Sequence, residues 1–275
     1  MNRLRGLSPS LPHPRGSGRA ARNHSNIELY RMCFSVNIVA EGVMGDHIKI
    51  VYTFNFDDGL VKIFTINLDR QTLDLISDKV SVPPVWVDLN YSRCANCPVD
   101  EGLNKYCPVA LNLVNINEEF KEFFSYENVG ITVTTEERTY TKLTSIQEEL
   151  SSLIGIIMVT SGCPVMEFLK PMVRFHLPFA TLEETTFRMV SMYLISQYLL
   201  NLNDRLADWK LDGLDKVCSA VGQVNRDFSN RLADAADKDA NINALVNLDC
   251  FATMIPFQAE EMFKKIERYF SAYLK

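Results

Sequence analysis

Four of the seven cysteines in this 275-residue chain, Cys94, Cys97, Cys107 and Cys163, follow the spacing C-x2-C-x9-C with the fourth some 55 residues further on. A C-x-x-C turn lets two thiolates face one ion, and two more complete a tetrahedron around zinc or the corners of an iron-sulfur cluster. Cys97, Cys107 and Cys163 each directly precede proline, at Pro98, Pro108 and Pro164. Because proline is favoured in the first turn of a helix, the pattern predicts Cys107 and Cys163 as helix N-caps, where the dipole favours a thiolate. Zinc leads, since one C-x-x-C with two scattered thiols is a common structural arrangement. The Cys-Pro pairs favour the iron-sulfur alternative, and the lone close pair weighs against it. Thiol redox chemistry and inert buried thiols are the other readings. Cys33, Cys218 and Cys250 carry no such spacing and are assigned no function.

His176, in the stretch RFHLPF between Pro171 and Pro178, is the one histidine beyond residue 50. Its plain reading is a core histidine held by one hydrogen bond; the functional reading is a fifth candidate ligand or a proton-transfer group. As a base it needs an orienting carboxylate, for which Glu183 or Glu184 is placed at the start of the next helix. Arg188 is expected to pair with Glu184 one turn away. Cys163, in Ser161-Gly162-Cys163-Pro164, is an alternative thiolate nucleophile with His176 as its base. The chain has no glycine-rich phosphate loop, Rossmann fingerprint, HExxH or GxSxG motif.

The net charge of -6 and pI near 5.3 argue against a nucleic-acid binder. No apolar run has the length to span a membrane. Residues 1–25 hold five arginines, no acidic residue and repeated Pro, Gly and Ser, a composition that predicts a disordered arm. No secretory signal follows the basic start, so a reducing cytoplasm is expected.

These candidate groups need elements to hold them. Alternating apolar residues at Met32–Ile38, Ile48–Phe56 and Phe64–Leu68 predict strands, with Asp58-Gly59 as a tight hairpin and a short strand over Thr72–Ile76. Pro83-Pro84 ends this meander. A cysteine loop then leads to a helix over Val109–Phe124, and Val129, Ile131 and Val133 open a second hairpin with the run around Tyr140. From there the period becomes helical. Ser145 with Glu148 and Thr181 with Glu184 read as capping boxes, the second opening a helix to about Asn203. Further helices are expected over Asp212–Ala236, Ile242–Phe251 and Phe257–Leu274. Leu214, Val217, Val221, Val224 and Phe228 form a stripe that Arg231 interrupts. The stripe reads as core-facing, with homodimerisation as its alternative use.

The blocks CANCPVDEGLNKYCPVALNL, SIQEELSSLIGIIMVTSGCP and LKPMVRFHLPFATLEETTFR resemble a bacterial family of unknown function with a CxxCP, CPVA, SGCP and HLPF pattern. The resemblance covers roughly residues 28 to 200 and implies that Cys94, Cys97, Cys107, Cys163 and His176 belong to one pattern. It implies no activity or substrate. The expected protein is α+β, with an N-terminal antiparallel β-sheet (residues 26–142, including the cysteine loop) and a mainly helical C-terminal half (residues 143–275) packed on it. Its expected function is that of a metal-binding structural or sensor protein. The alternative is a thiol-based or iron-sulfur redox enzyme using Cys163 and His176.

Overall fold

A computed structural model describes residues 46–77 and 80–275. The arm and the strand expected over Met32–Ile38 lie outside the described residues, as does Cys33. The described chain is α+β, as its sequence pattern implies. A five-stranded antiparallel sheet is built from β1 (His47–Asn55), β2 (Val61–Asp69), β3 (Leu75–Ile76), β4 (Asn128–Thr134) and β5 (Thr139–Ser145) in the order β3-β2-β1-β4-β5. The central strand β1 pairs Tyr52 with Phe64 on one side and with Val133 on the other. Ile48, Ile50, Tyr52 and Phe54 therefore share one face with Ile66, Leu68, Val129, Ile131 and Val133, and all are buried. Ile63 and Leu143, of opposite parity, are exposed, as in a sheet with one face covered.

The first hairpin is wider than its sequence suggests. Asn55 pairs with Val61, the loop is closed by Phe56 and Leu60, and only Gly59 takes positive φ, at +88°. Asp58 instead accepts from the Leu60 N–H, so it serves the turn through its side chain rather than through a left-handed backbone.

Among the described residues, six helices cover the sheet or pack behind that cover: α1 (Pro108–Phe120), α2 (Ile146–Thr160), the short α3 (Lys170–Arg174), α4 (Leu182–Leu202), α5 (Asp212–Ala233) and α6 (Ala240–Ile266). Phe120 of α1 lies edge-on to Phe54 at 5.0 Å between ring centres, joining α1 to the sheet. Helix α2 is apolar on nearly every side because it lies in the core, with α6 packed against it as well as against α4 and α5. Gly155 allows that approach, since a Cβ there would stand 3.3 Å from the Leu248 side chain. The stripe of α5 faces inward, with Leu214, Val221, Val224 and Phe228 all buried.

Two helix boundaries depart from expectation. The helices expected on either side of Pro256 are one helix, α6, with Pro256 inside it. Proline removes one backbone hydrogen bond, and packing against α2, α4 and α5 holds the helix through that loss. At the start of α2, Ser145 makes no side-chain cap; Thr144 bonds Glu148 instead, because Ser145 still belongs to β5. The Thr181–Glu184 box is present in both directions.

Candidate functional site

The four cysteines reach one place from three separate segments. Cys94 and Cys97 form a tight turn closed by the Cys97 N–H on the Cys94 carbonyl at 3.1 Å. That turn is tied to α5, where the Ala95 N–H donates to Asp227 at 2.8 Å and the Asn96 amide donates to the Ala220 carbonyl at 2.9 Å. Cys107 is the N-cap of α1 with Pro108 in the first turn, as the Cys-Pro spacing predicts. Cys163 is not a helix N-cap. Gly162, at φ +82°, turns the chain just after α2 ends, and the carbonyl of Cys163 accepts from the N–H groups of Met166 and Glu167 in an irregular turn.

All four thiols line a single void of about 20 Å³, closed by apolar side chains that include Val99, Val109, Val165, Val224 and Phe228. Burial pushes the Cys94 thiol up to about 12, with the neighbouring Cys107 adding to the shift. Burial likewise raises Cys107 and Cys163. Backbone N–H groups oppose that rise, from Ala110 and Val109 toward Cys107 and from Met166 and Val165 toward Cys163. Both sulfurs are thus held where backbone donors favour a negative charge. Among the described residues, no group of three or more His, Cys, Asp or Glu side chains is placed so that it could hold a metal ion.

Arg231, read in sequence only as the residue that interrupts a stripe, anchors this region. It is 1% exposed and donates to the carbonyls of Trp86 and Asp88, both at 2.7 Å, and of Leu89 and Ser92 at 3.2 and 3.4 Å. Its Nε has no partner among the described residues. The guanidinium lies near enough to Cys94 and Cys107 to favour their charged forms. Arg231 follows Phe228 by three residues and so continues the buried stripe; a charge on that face was the available signal.

His176 is not at the thiol void. Its Nε2 lies 2.7 Å from the Tyr52 hydroxyl, which in turn lies 3.2 Å from the hydroxyl of Ser152 on α2. Enclosure lowers His176 to about 3, with nearby Arg188 contributing, so the ring is neutral at pH 7. Neither expected partner orients it. Glu184 is occupied by the Thr181 cap, and Arg188 donates to the carbonyls of Met172 and Phe175 at 2.8 and 2.7 Å. The carbonyls that end α3 capture the guanidinium in place of an exposed ion pair.

His176 belongs instead to a second, partly open cavity of about 480 Å³ between α2 and helices α3 to α6. Glu149 lies in its wall at 1% exposure, and burial raises its carboxyl to about 8. The Phe179 N–H, Lys142 and Ser152 counter part of that rise. Phe179 adopts φ +59°, an uncommon conformation for a non-glycine residue, and its N–H faces the carboxyl. Oε1 of Glu149 and Oδ1 of Asn225, both buried in this wall, have no hydrogen-bond partner among the described residues. Neither residue was singled out from sequence. The visible signal for Glu149 was a carboxylate three residues after Ile146 and four before Leu153, within the apolar stripe of α2.

A family model described as a domain of unknown function (DUF6901) matches residues 50–271. The chain belongs to that family. No curated protein and no solved structure matches it. The family match spans all four cysteines, His176, Glu149 and Arg231, so both cavities lie within the shared domain. No helix among the described residues is long and apolar enough to cross a membrane.

Proposed function

We propose that this protein is a non-catalytic metal-binding module in which Cys94, Cys97, Cys107 and Cys163 hold one zinc ion as thiolates. The observation that carries the reading is the shared void: four thiols from the C-x-x-C turn, the start of α1 and the end of α2 border about 20 Å³. That volume accommodates roughly one water-sized body, which suits a single ion. A four-iron cluster has eight core atoms and would have to displace the apolar walls at Val224 and Phe228.

Two surrounding features support the same reading. Backbone N–H groups directed at two of the sulfurs are what metal-bound thiolates use as outer partners. A tetrathiolate zinc centre carries a net charge of minus two, and Arg231 supplies a buried cation near Cys94 and Cys107. The metal's role is to clamp the loop before α1, the end of α2 and, through Asp227 and Ala220, helix α5. In such sites, binding energy is also folding energy. The thiolate-nucleophile reading of Cys163, with His176 as its base, has less support, since His176 is bonded to Tyr52 at the other cavity.

Elemental analysis of protein purified without chelator tests this. About one zinc per chain is expected, without absorbance near roughly 400 nm. Cys97→Ser and Cys163→Ser should each lose the metal and much of the thermal stability, while Cys218→Ser and Cys250→Ser keep both. Iron with sulfide would replace zinc by a cluster. Metal-free protein that melts unchanged after chelation would overturn the reading.

A further inference from the structure

The larger cavity carries an inference independent of the thiol void. Most of its wall is apolar, with Ile156, Met189, Val221, Leu248, Phe251 and Ile255 among the lining side chains. Its volume of about 480 Å³ falls in the range of cavities that take small organic ligands. Within that apolar wall, two side chains on different helices end in oxygen atoms without partners: Oε1 of Glu149 on α2 and Oδ1 of Asn225 on α5. They are 1% and 2% exposed, so bulk water does not serve them. A fold leaves few such atoms unsatisfied, and two in one cavity wall mark positions that a ligand completes.

Both orphan atoms are oxygens of acceptor groups, and one belongs to a carboxyl. We propose that the cavity binds a small organic amine, its ammonium group received by Glu149 and its apolar body lying along the wall toward α5 and α6. Asn225 then accepts a second N–H or O–H carried on that body. Burial keeps the carboxyl of the empty cavity protonated up to about 8, so an ammonium group seated there ionises it and its proton leaves to solvent. The Phe179 N–H and the Ser152 hydroxyl already face the carboxyl and stabilise its ionised form, and the strained backbone at Phe179 is what aims that N–H. Lys142 also favours the ionised form from β5, but it lies 3.5 Å from Glu148 and over the Phe179 ring, so Oε1 itself remains free for the ligand. Arg188, the other cation in the wall, has its Nη2 turned to two backbone carbonyls.

The experiment uses the intact protein as purified and three indole probes of matched size: tryptamine, tryptophol and indole-3-propionate. Binding is read by titration calorimetry and by the rise in melting temperature. Tryptamine should bind at least about tenfold more tightly than tryptophol, and indole-3-propionate should not bind. In Glu149→Gln, which keeps shape but cannot ionise, tryptamine should fall to the level of tryptophol, whose own affinity stays unchanged. Preference for the carboxylate would assign the reading groups to Arg188 and Lys142 and overturn the proposal, as would equal tryptamine affinity in Glu149→Gln. Absence of binding by all three probes to the wild-type protein would also overturn it. None of these outcomes depends on how much zinc the protein carries.

Discussion

The hydroxyl of Tyr52 lies 2.7 Å from Nε2 of His176, across 124 residues of sequence. Tyr52 is fully buried at the middle of the central strand, and burial holds its hydroxyl well above the usual phenol range, with Glu149 contributing. The contact joins the sheet to the loop after α3, and His176 in turn lines the larger cavity. Tyr52→Phe removes one hydroxyl and leaves His176 Nε2 without its partner. The expected loss is about 1 to 3 kcal/mol, measured by urea denaturation at pH 7, with the fold retained. No loss would show that the bond contributes nothing net.

His176 also sets an acid limit. Its folded value, near 3, lies below the unfolded value of 6.5, so the unfolded chain takes up the proton first. The stability it contributes is full above pH 6.5 and is lost as pH falls from there toward 3. Because the residue is only half-buried, the expected loss is discounted to on the order of 2 kcal/mol between pH 6.5 and 4.5, relative to His176→Gln. Parallel denaturation curves for the two proteins across that window would contradict this.

Glu149 acts in the opposite direction. Its folded value of about 8 lies above its unfolded value of 4.5, so the folded chain holds the proton more tightly. Its contribution is full below pH 4.5 and is lost as pH rises through 8. Wild-type protein should therefore lose on the order of 3 kcal/mol between pH 5 and 8 relative to Glu149→Gln. Thermal melts of both proteins at matched ionic strength check the sign. A flat difference would mean that the carboxyl titrates normally.

Arg231 holds four carbonyls of the segment before the C-x-x-C turn. Arg231→Leu fills the space and leaves those buried acceptors unserved, for an expected loss of at least about 3 kcal/mol. The variant should also show faster amide exchange at Leu89, whose N–H donates to Lys105 at 2.9 Å. Unchanged exchange there would limit the role of Arg231 to its charge.

Much of the fold was written in local pattern. The period of two at Ile48–Phe54 and Val129–Val133 gave strands with one buried face, and the Thr181–Glu184 pair gave a helix start, because both depend on residues within one turn or one pleat. The C-x-x-C turn and the Cys107 cap were legible for the same reason. Tertiary structure decided what cannot be local. It carried α6 through Pro256, since packing on α2, α4 and α5 outweighs one lost hydrogen bond. It brought Cys163 to the void of the other three cysteines and took His176 away to Tyr52, although both positions follow α2 within sixteen residues. It also turned Glu149 and Arg231, each a charge on an apolar stripe, into buried groups with opposite tasks. One faces an open cavity with an oxygen unpaired; the other is surrounded by carbonyls. Sequence spacing shows that a charge lies on a buried face, but its partners come from segments brought near by the fold, and those partners determine its chemistry.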